Sequence, residues 1–276
     1  PFLLFRDKKL LEIPFEVIES PQWGNRKLKV YNFYARNEDR IVFFSDGISQ
    51  AAIGSQKWPL GWRQQGCTDY IQELLNDTVQ LSSHELCRSV IKEARRIEPQ
   101  RRNQDDMTCA SLYFRYPKKM LLFTGPPYDK KNDSQCAKLM EEFEGDKVIC
   151  GGTSAEIIAR ELKRDLHMDL DKVFHDLPPM SEMQGIDLVT EGIFTLTKAA
   201  KYLEEGTENE TDNPAALLAE IMRKNDLIYF LVGTRINEAH QDPKLPQELE
   251  LRRNIVQRIA EILKNKYLKR IDIKYV

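Results

Sequence analysis

The chain has 276 residues, of which 41% are hydrophobic and 30% charged, and its net charge is −2. One or two globular domains are expected from that size and composition. The near-neutral charge argues against a general nucleic-acid binder, which carries a basic excess; the absence of any run of about 18 apolar residues argues against a membrane-spanning helix.

The first residues read as short strands, 2–5 and 10–13, around the turn Arg6-Asp-Lys-Lys. Arg6, Lys8 and Lys9 interrupt the opening apolar residues, so no signal peptide is expected. The sequence opens inside a strand without an initiator Met, and a fragment of a longer protein is the expectation. Residues 27–35 alternate as a strand does. Asn37-Glu-Asp-Arg reads as a hairpin-like turn into a strand over 41–44. From Thr68 onward, Tyr70, Ile71, Leu74 and Leu75 fall on one helical face. Ser82, with Glu85 three residues on, opens a helix through Arg95, and 107–114 is the next strand.

Residues 119–276 have another rhythm. Apolar runs at 121–124, 147–150, 185–190, 227–233 and 271–275 alternate with helical patterns at 134–143, 155–166, 194–204, 214–224 and 247–267. That alternation predicts a Rossmann-like α/β domain whose mostly parallel sheet is covered on both faces. Tyr116-Pro117-Lys118-Lys119 is the expected boundary, giving domains over 1–116 and 119–276. The five cysteines (Cys67, Cys87, Cys109, Cys136, Cys150) are odd in number and contain no Cys-x-x-Cys pair. Neither a zinc site nor a disulfide framework is expected, and a cytoplasmic location follows.

Chemistry is suggested by two acidic clusters at strand ends: Ser45-Asp46-Gly47-Ile48 and Asn103-Gln-Asp105-Asp106-Met107-Thr108. Hard divalent cations take oxygen ligands, and strand ends hold them rigidly. Two such ends brought together make half of a metal site, which points to hydrolysis of phosphate esters. The plainer alternative is a pair of polar turns whose carboxylates accept backbone N–H bonds.

The ordered series Phe43-Phe44-Ser45-Asp46-Gly47-Ile48, Pro59-Leu60-Gly61-Trp62 and Asp105-Asp106-Met107-Thr108 resembles the metal-dependent serine/threonine protein phosphatases of type 2C, in their bacterial sporulation stage II protein E branch. Pro1-Phe-Leu-Leu-Phe-Arg-Asp-Lys-Lys-Leu resembles the hairpin that precedes these motifs, so the likeness covers about residues 1–116. It implies the carboxyl part of an αββα sandwich that binds two Mn²⁺ or Mg²⁺ ions and dephosphorylates a phosphoprotein substrate in bacterial signalling. By motif match Asp46 and Asp105 are the implied metal ligands. Asp106 is an implied neighbour of the site, Gly47 lets the backbone turn beside the ion, and Thr108 is placed to bond a ligand carboxylate. The family also requires an earlier Asp and a second Asp-Gly pair. Asp46-Gly47 is the one Asp-Gly here, so this chain by itself is expected to be inactive. A half-sandwich would leave apolar surface uncovered, which makes a homodimer or another covering segment an expectation.

In the second domain four strand-to-helix turns stand out: Thr124-Gly125-Pro126-Pro127, Gly151-Gly152-Thr153-Ser154, Thr190-Glu191-Gly192 and Gly233-Thr234-Arg235. Such edges carry ligands in open parallel sheets. Gly151 and Gly152 permit close backbone approach, Thr153 and Ser154 supply hydroxyls, and the helix start favours a small anionic ligand. The alternative is a turn in which Thr153 or Ser154 is an ordinary N-cap. Glu191, Arg235, Asn237 and His240 are further candidates, Arg235 for bidentate recognition of phosphate or carboxylate. The rival to a phosphatase, suggested by the missing upstream ligands, is a non-catalytic ligand-sensing or scaffolding protein; an enzyme site in this half ranks last, because no base–nucleophile pair appears in it.

Overall fold

The computed structural model describes residues 2–77, 81–99, 105–168, 177, 179–206, 213–235 and 245–276, with backbone alone for 23 and 245–249. It separates into two compact units, Pro1–Tyr116 and Pro117–Val276.

The first unit is α+β. Strands β1 (Phe2–Arg6), β2 (Lys9–Leu11), β5 (Arg40–Phe44) and β6 (Cys109–Tyr113) form one antiparallel sheet in the order β2-β1-β5-β6. Period-2 alternation sends Leu3, Phe5, Val42 and Phe44 to one face. There they pack with Ile71 and Leu75 of α2 (Arg63–Asp77) and with Leu86 and Val90 of α3 (Ser83–Ile97). The opposite face is apolar and only partly covered: Leu4 and Ile41 are buried and Phe2 stacks on Tyr31, whereas Phe43 is 38% and Leu112 53% exposed. A separate hairpin, β3 (Phe15–Glu19) and β4 (Lys27–Tyr31), pairs Phe15 with Tyr31.

The Ser82 signal is realised as a complete capping box. The Glu85 N–H donates to Ser82 Oγ at 3.1 Å, and the Ser82 N–H donates to Glu85 Oε2 at 2.8 Å, which satisfies two of the free donors at a helix start. Helix α2 begins at Arg63, earlier than the apolar pattern suggests, because its first turn is polar and its buried face starts at Cys67. The strand expected over 27–35 ends at Tyr31. Strand β3 escapes a periodicity reading: all five of its residues are exposed, and its partner is a hairpin neighbour rather than a core.

The second unit is α/β. Its seven-stranded sheet has the order β13-β12-β7-β8-β11-β10-β9. Strands β13 (Arg270–Tyr275), β12 (Leu227–Val232), β7 (Lys119–Thr124), β8 (Asp146–Cys150) and β11 (Leu188–Thr190) run parallel. Short β10 (Ser181–Glu182) and β9 (His167–Met168) extend the sheet antiparallel. Helices α4 (Asp133–Glu142) and α5 (Gly152–Leu162) bring Met140 and Ile158 against one face. Helices α6 (Ile193–Glu205), α7 (Pro214–Lys224) and α8 (Leu245–Tyr267) bring Leu196, Leu218 and Ile259 against the other. The chain winds from β7 through β8 to β11, then returns to β12 beside β7, so the sheet is doubly wound with its switch between β7 and β12. Strand β11 is shorter than the apolar run over 185–190, because Gly185 turns the chain at φ +76° before the strand begins. Among the described residues no helix is long and apolar enough to cross a membrane.

Candidate functional site

In the first unit the three motifs meet at one end of the sheet. Strand β5 ends at Phe44, which pairs with Cys109, so the turns after β5 and before β6 are neighbours. Ser45 ties them together. Its N–H donates to the Thr108 carbonyl at 3.0 Å, its Oγ accepts from the Thr108 N–H at 3.0 Å, and its hydroxyl donates to the Asp106 carbonyl at 3.1 Å. Asp46 then opens the short helix α1 (Asp46–Ser49). Asp105 Oδ1 accepts from the Asp106 N–H at 2.8 Å, which closes its own turn.

Gly47 is required by proximity. A Cβ there would lie 2.3 Å from the Asp106 carbonyl oxygen and 3.4 Å from Asp105 Cβ. The Pro59-Leu60-Gly61-Trp62 loop packs on the same turn. Gly61 adopts φ +76°, where a Cβ would come 2.8 Å from Gln50 Cα, and the Trp62 N–H donates to the Ala51 carbonyl at 2.9 Å. Trp62 is buried against Tyr70. Asp46, Asp105 and Asp106 are exposed.

The donors are hard oxygens of the kind a divalent cation selects, but they form a partial set. No group of three or more His, Cys, Asp or Glu side chains arranged to hold a metal occurs among the described residues, whereas a hard cation takes about six oxygens. Thr108 joins this arrangement through its backbone.

The other end of β5 holds features that the sequence reading missed. Asp39 is buried and accepts from Arg6 Nε at 2.9 Å, Arg6 Nη2 at 2.7 Å and the Arg36 N–H at 2.8 Å. The bond from Arg6 holds its carboxyl below the usual carboxylate range. Arg40 is buried with its guanidinium 3.5 Å from the Tyr113 ring centroid, and desolvation lowers its pKa. Back at the site end, where Cys109 pairs with Phe44, a hydrogen bond between Cys87 of α3 and Cys109 of β6 lowers the Cys87 pKa and raises that of Cys109. Spacing in the sequence gave no sign of that pair, because a helix–sheet contact creates it.

In the second unit the structure brings together Gly151, Gly152, Ser154 and Glu191. Gly151, at φ +131°, is the N-cap of α5, and Gly192 is the N-cap of α6; neither helix start has a side-chain cap. Thr153 and Ser154 therefore do not act as N-caps. A Cβ on Gly192 would lie 3.6 Å from Gly151 Cα, and one on Gly152 would lie 3.5 Å from Glu191 Oε1. Two helix starts thus abut with a carboxylate beside them. Beneath, Cys150 is fully buried and its thiol is pushed up to about 12 by desolvation, so it is protonated at neutral pH and is no nucleophile.

Arg235 is not part of this group. It follows β12, which is separated from β8 by β7, and its N–H donates to the Pro126 carbonyl at 3.1 Å. The switch-point crevice is filled by the chain itself: a Cβ on Gly233 would sit 2.1 Å from the Pro126 carbonyl oxygen, and one on Gly125 would sit 2.6 Å from the Arg252 guanidinium. Asn237 and His240 lie outside the described residues. A cavity of about 630 Å³ borders Asp187 and Leu188, at the opposite end of β11 from Glu191.

No protein-family model and no curated protein matches the chain. Among solved structures it is similar to the phosphatase domain of the cell fate determinant SpoIIE from Bacillus subtilis, at 12% identity and a TM-score of 0.28. That match covers 42% of this chain and 48% of the other, so the chain spans about half of the structure it matches.

Proposed function

We propose that residues 1–116 are part of a metal-dependent protein serine/threonine phosphatase. Asp46 and Asp105 would be its ligands for Mn²⁺ or Mg²⁺, with Gly47 and Asp106 shaping the turn around them. One observation carries the reading: two acidic turns, 59 residues apart between Asp46 and Asp105, are locked together by Ser45 and by the close approach of Gly47 to Asp106. A plain pair of polar turns does not need the Pro59-Leu60-Gly61-Trp62 loop packed on it as well. When bound, such metals activate water and orient a phosphoester. This chain's residues would supply part of the metal's oxygen shell and hold it at the sheet end. A phosphoprotein substrate, a cytoplasmic signalling role and homodimer formation belong to the same proposal.

Residues 119–276 are assigned a regulatory, ligand-binding role. A second reading, in which the whole chain is a non-catalytic sensor or scaffold, is favoured by the incomplete donor set among the described residues.

The test is Mn²⁺-dependent hydrolysis of an aryl phosphate by this chain and by the whole product of its reading frame. Activity that falls at least 100-fold in Asp46→Asn and in Asp105→Asn, with folding retained, supports the phosphatase. Full activity in both variants overturns the ligand assignment, and inactivity in both proteins favours the sensor.

A further inference from the structure

Buried polar atoms without partners are distributed unevenly in the second unit. Hydroxyls and charged groups taken out of water normally find a hydrogen bond. Among the described residues of this unit, five side chains have a buried atom that does not: Thr124 Oγ1, Asp133 Oδ1, Ser154 Oγ, Thr195 Oγ1 and Arg235 Nη1. All five lie at or just past the carboxyl ends of the parallel strands or at the helix starts that follow them. Thr124 ends β7 and is in register with Cys150, and Cys150 is in register with Thr190. Ser154 and Thr195 each occupy the third position of a helix, α5 and α6 respectively.

Two of these groups belong to the abutting helix starts. Ser154 is 1% and Thr195 0% exposed. Ser154 Oγ lies 3.4 Å from where a Cβ on Gly151 would be, so the hydroxyl is aimed at the junction of Gly151 and Gly192. Each helix start also carries free N–H donors and roughly half a positive charge. The two together come to about one positive charge, and the Glu191 carboxylate beside Gly152 offsets it. A bare phosphate dianion would meet no net attraction there. A ligand that presents an anion to the N–H groups and hydroxyl donors to Glu191 satisfies both.

We infer that the junction of the α5 and α6 helix starts binds a phosphorylated polyol. Its phosphate is held by the N–H groups after Gly151 and Gly192 and by Ser154 Oγ, and its hydroxyls donate to Glu191. This rests on the ligand-binding role assigned to residues 119–276 and is independent of the phosphatase reading.

Isothermal titration of the intact chain with ribose 5-phosphate, inorganic phosphate and ribose tests it. Ribose 5-phosphate is expected to bind one to one, at least tenfold more tightly than either of the others. Gly152→Ala and Gly192→Ala should each weaken it tenfold or more; their added Cβ meets only ordinary contacts, so both variants should fold. Glu191→Gln should narrow the preference over inorganic phosphate by lifting the charge that opposes a dianion. Ser154→Ala should lose affinity yet raise the melting temperature of the free protein, because it removes an unsatisfied buried hydroxyl. Unchanged ribose 5-phosphate binding in both glycine variants would overturn the site. Equal binding of inorganic phosphate would overturn the polyol class while leaving a binding role intact. No binding of any of the three at millimolar concentration would overturn the inference, and the binding role would then have to be sought with other ligand classes.

Discussion

The two units solve the same burial problem in opposite ways, and their candidate sites differ accordingly. The parallel sheet of the second unit is covered by helices on both faces, so its central strands β7, β8, β11 and β12 are mostly buried, while edge strand β13 stays largely exposed. What remains for chemistry is the row of strand ends, where hydroxyls and helix N–H groups are enclosed. The antiparallel sheet of the first unit packs its helices on one face, and its second face buries Leu4 and Ile41 but leaves Phe43 and Leu112 exposed to solvent. Its candidate site is made of exposed carboxylates on turns whose backbone groups bond to one another. Turns that are internally satisfied can present charge to a cation, whereas an edge with unsatisfied buried groups presents a need that a ligand can meet.

The largest expected effect separates the two sheets by burial. Phe230→Ala, at a fully buried position of β12, should lose about 3–5 kcal/mol in urea unfolding. Leu112→Thr, on the partly covered face, should stay within about 1 kcal/mol. A comparable large loss at Leu112 would mean that its surroundings are covered in solution, as a homodimer would do, and the comparison would fail.

A smaller effect should come from Asp39, which sharpens the contrast because it supports the turn rather than the site. Its pKa is held below the unfolded value by the bond from Arg6. Its contribution is therefore present above the unfolded carboxylate range near pH 4 and is lost as pH falls through the lower folded value. Asp39→Asn should flatten the acid limb of the stability curve below about pH 4, measured by urea unfolding across pH. An unchanged limb would show that the Arg6–Asp39 bonds do not matter in solution. Smallest is Ser82→Ala, expected to cost about 1 kcal/mol by breaking the capping box of α3. Calorimetry would detect it, and no loss would mean that the helix start is held by packing alone.

Much of this architecture is legible in the residues themselves. The capping box at Ser82, the alternation of apolar runs with helical patterns after Lys119, and Pro214 at the start of α7 follow from local chemistry. So does the tight turn at Ser45-Asp46-Gly47. Helix α2 and α5 begin earlier than their apolar repeats because the first turns of those helices are polar or small. Thr153 and Ser154 invited an N-cap reading, since hydroxyls at a helix start usually cap it; the chain places Gly151 there instead, and Ser154 is left without a partner.

By itself the sequence determined the class of each half, through the period of its apolar residues and the residue types at its turns. Those are short-range properties, written within a few neighbouring positions. Only the tertiary structure decided which turns meet: Gly47 against Asp106, Gly151 against Gly192, Gly233 against Pro126. Strand register and sheet order set those contacts, and they depend on which strands pair across tens of residues. No local pattern carries that information. For the same reason the contact of Cys87 with Cys109 and the empty bonding capacity of Ser154 and Thr195 appear only once the sheet and its helices are assembled.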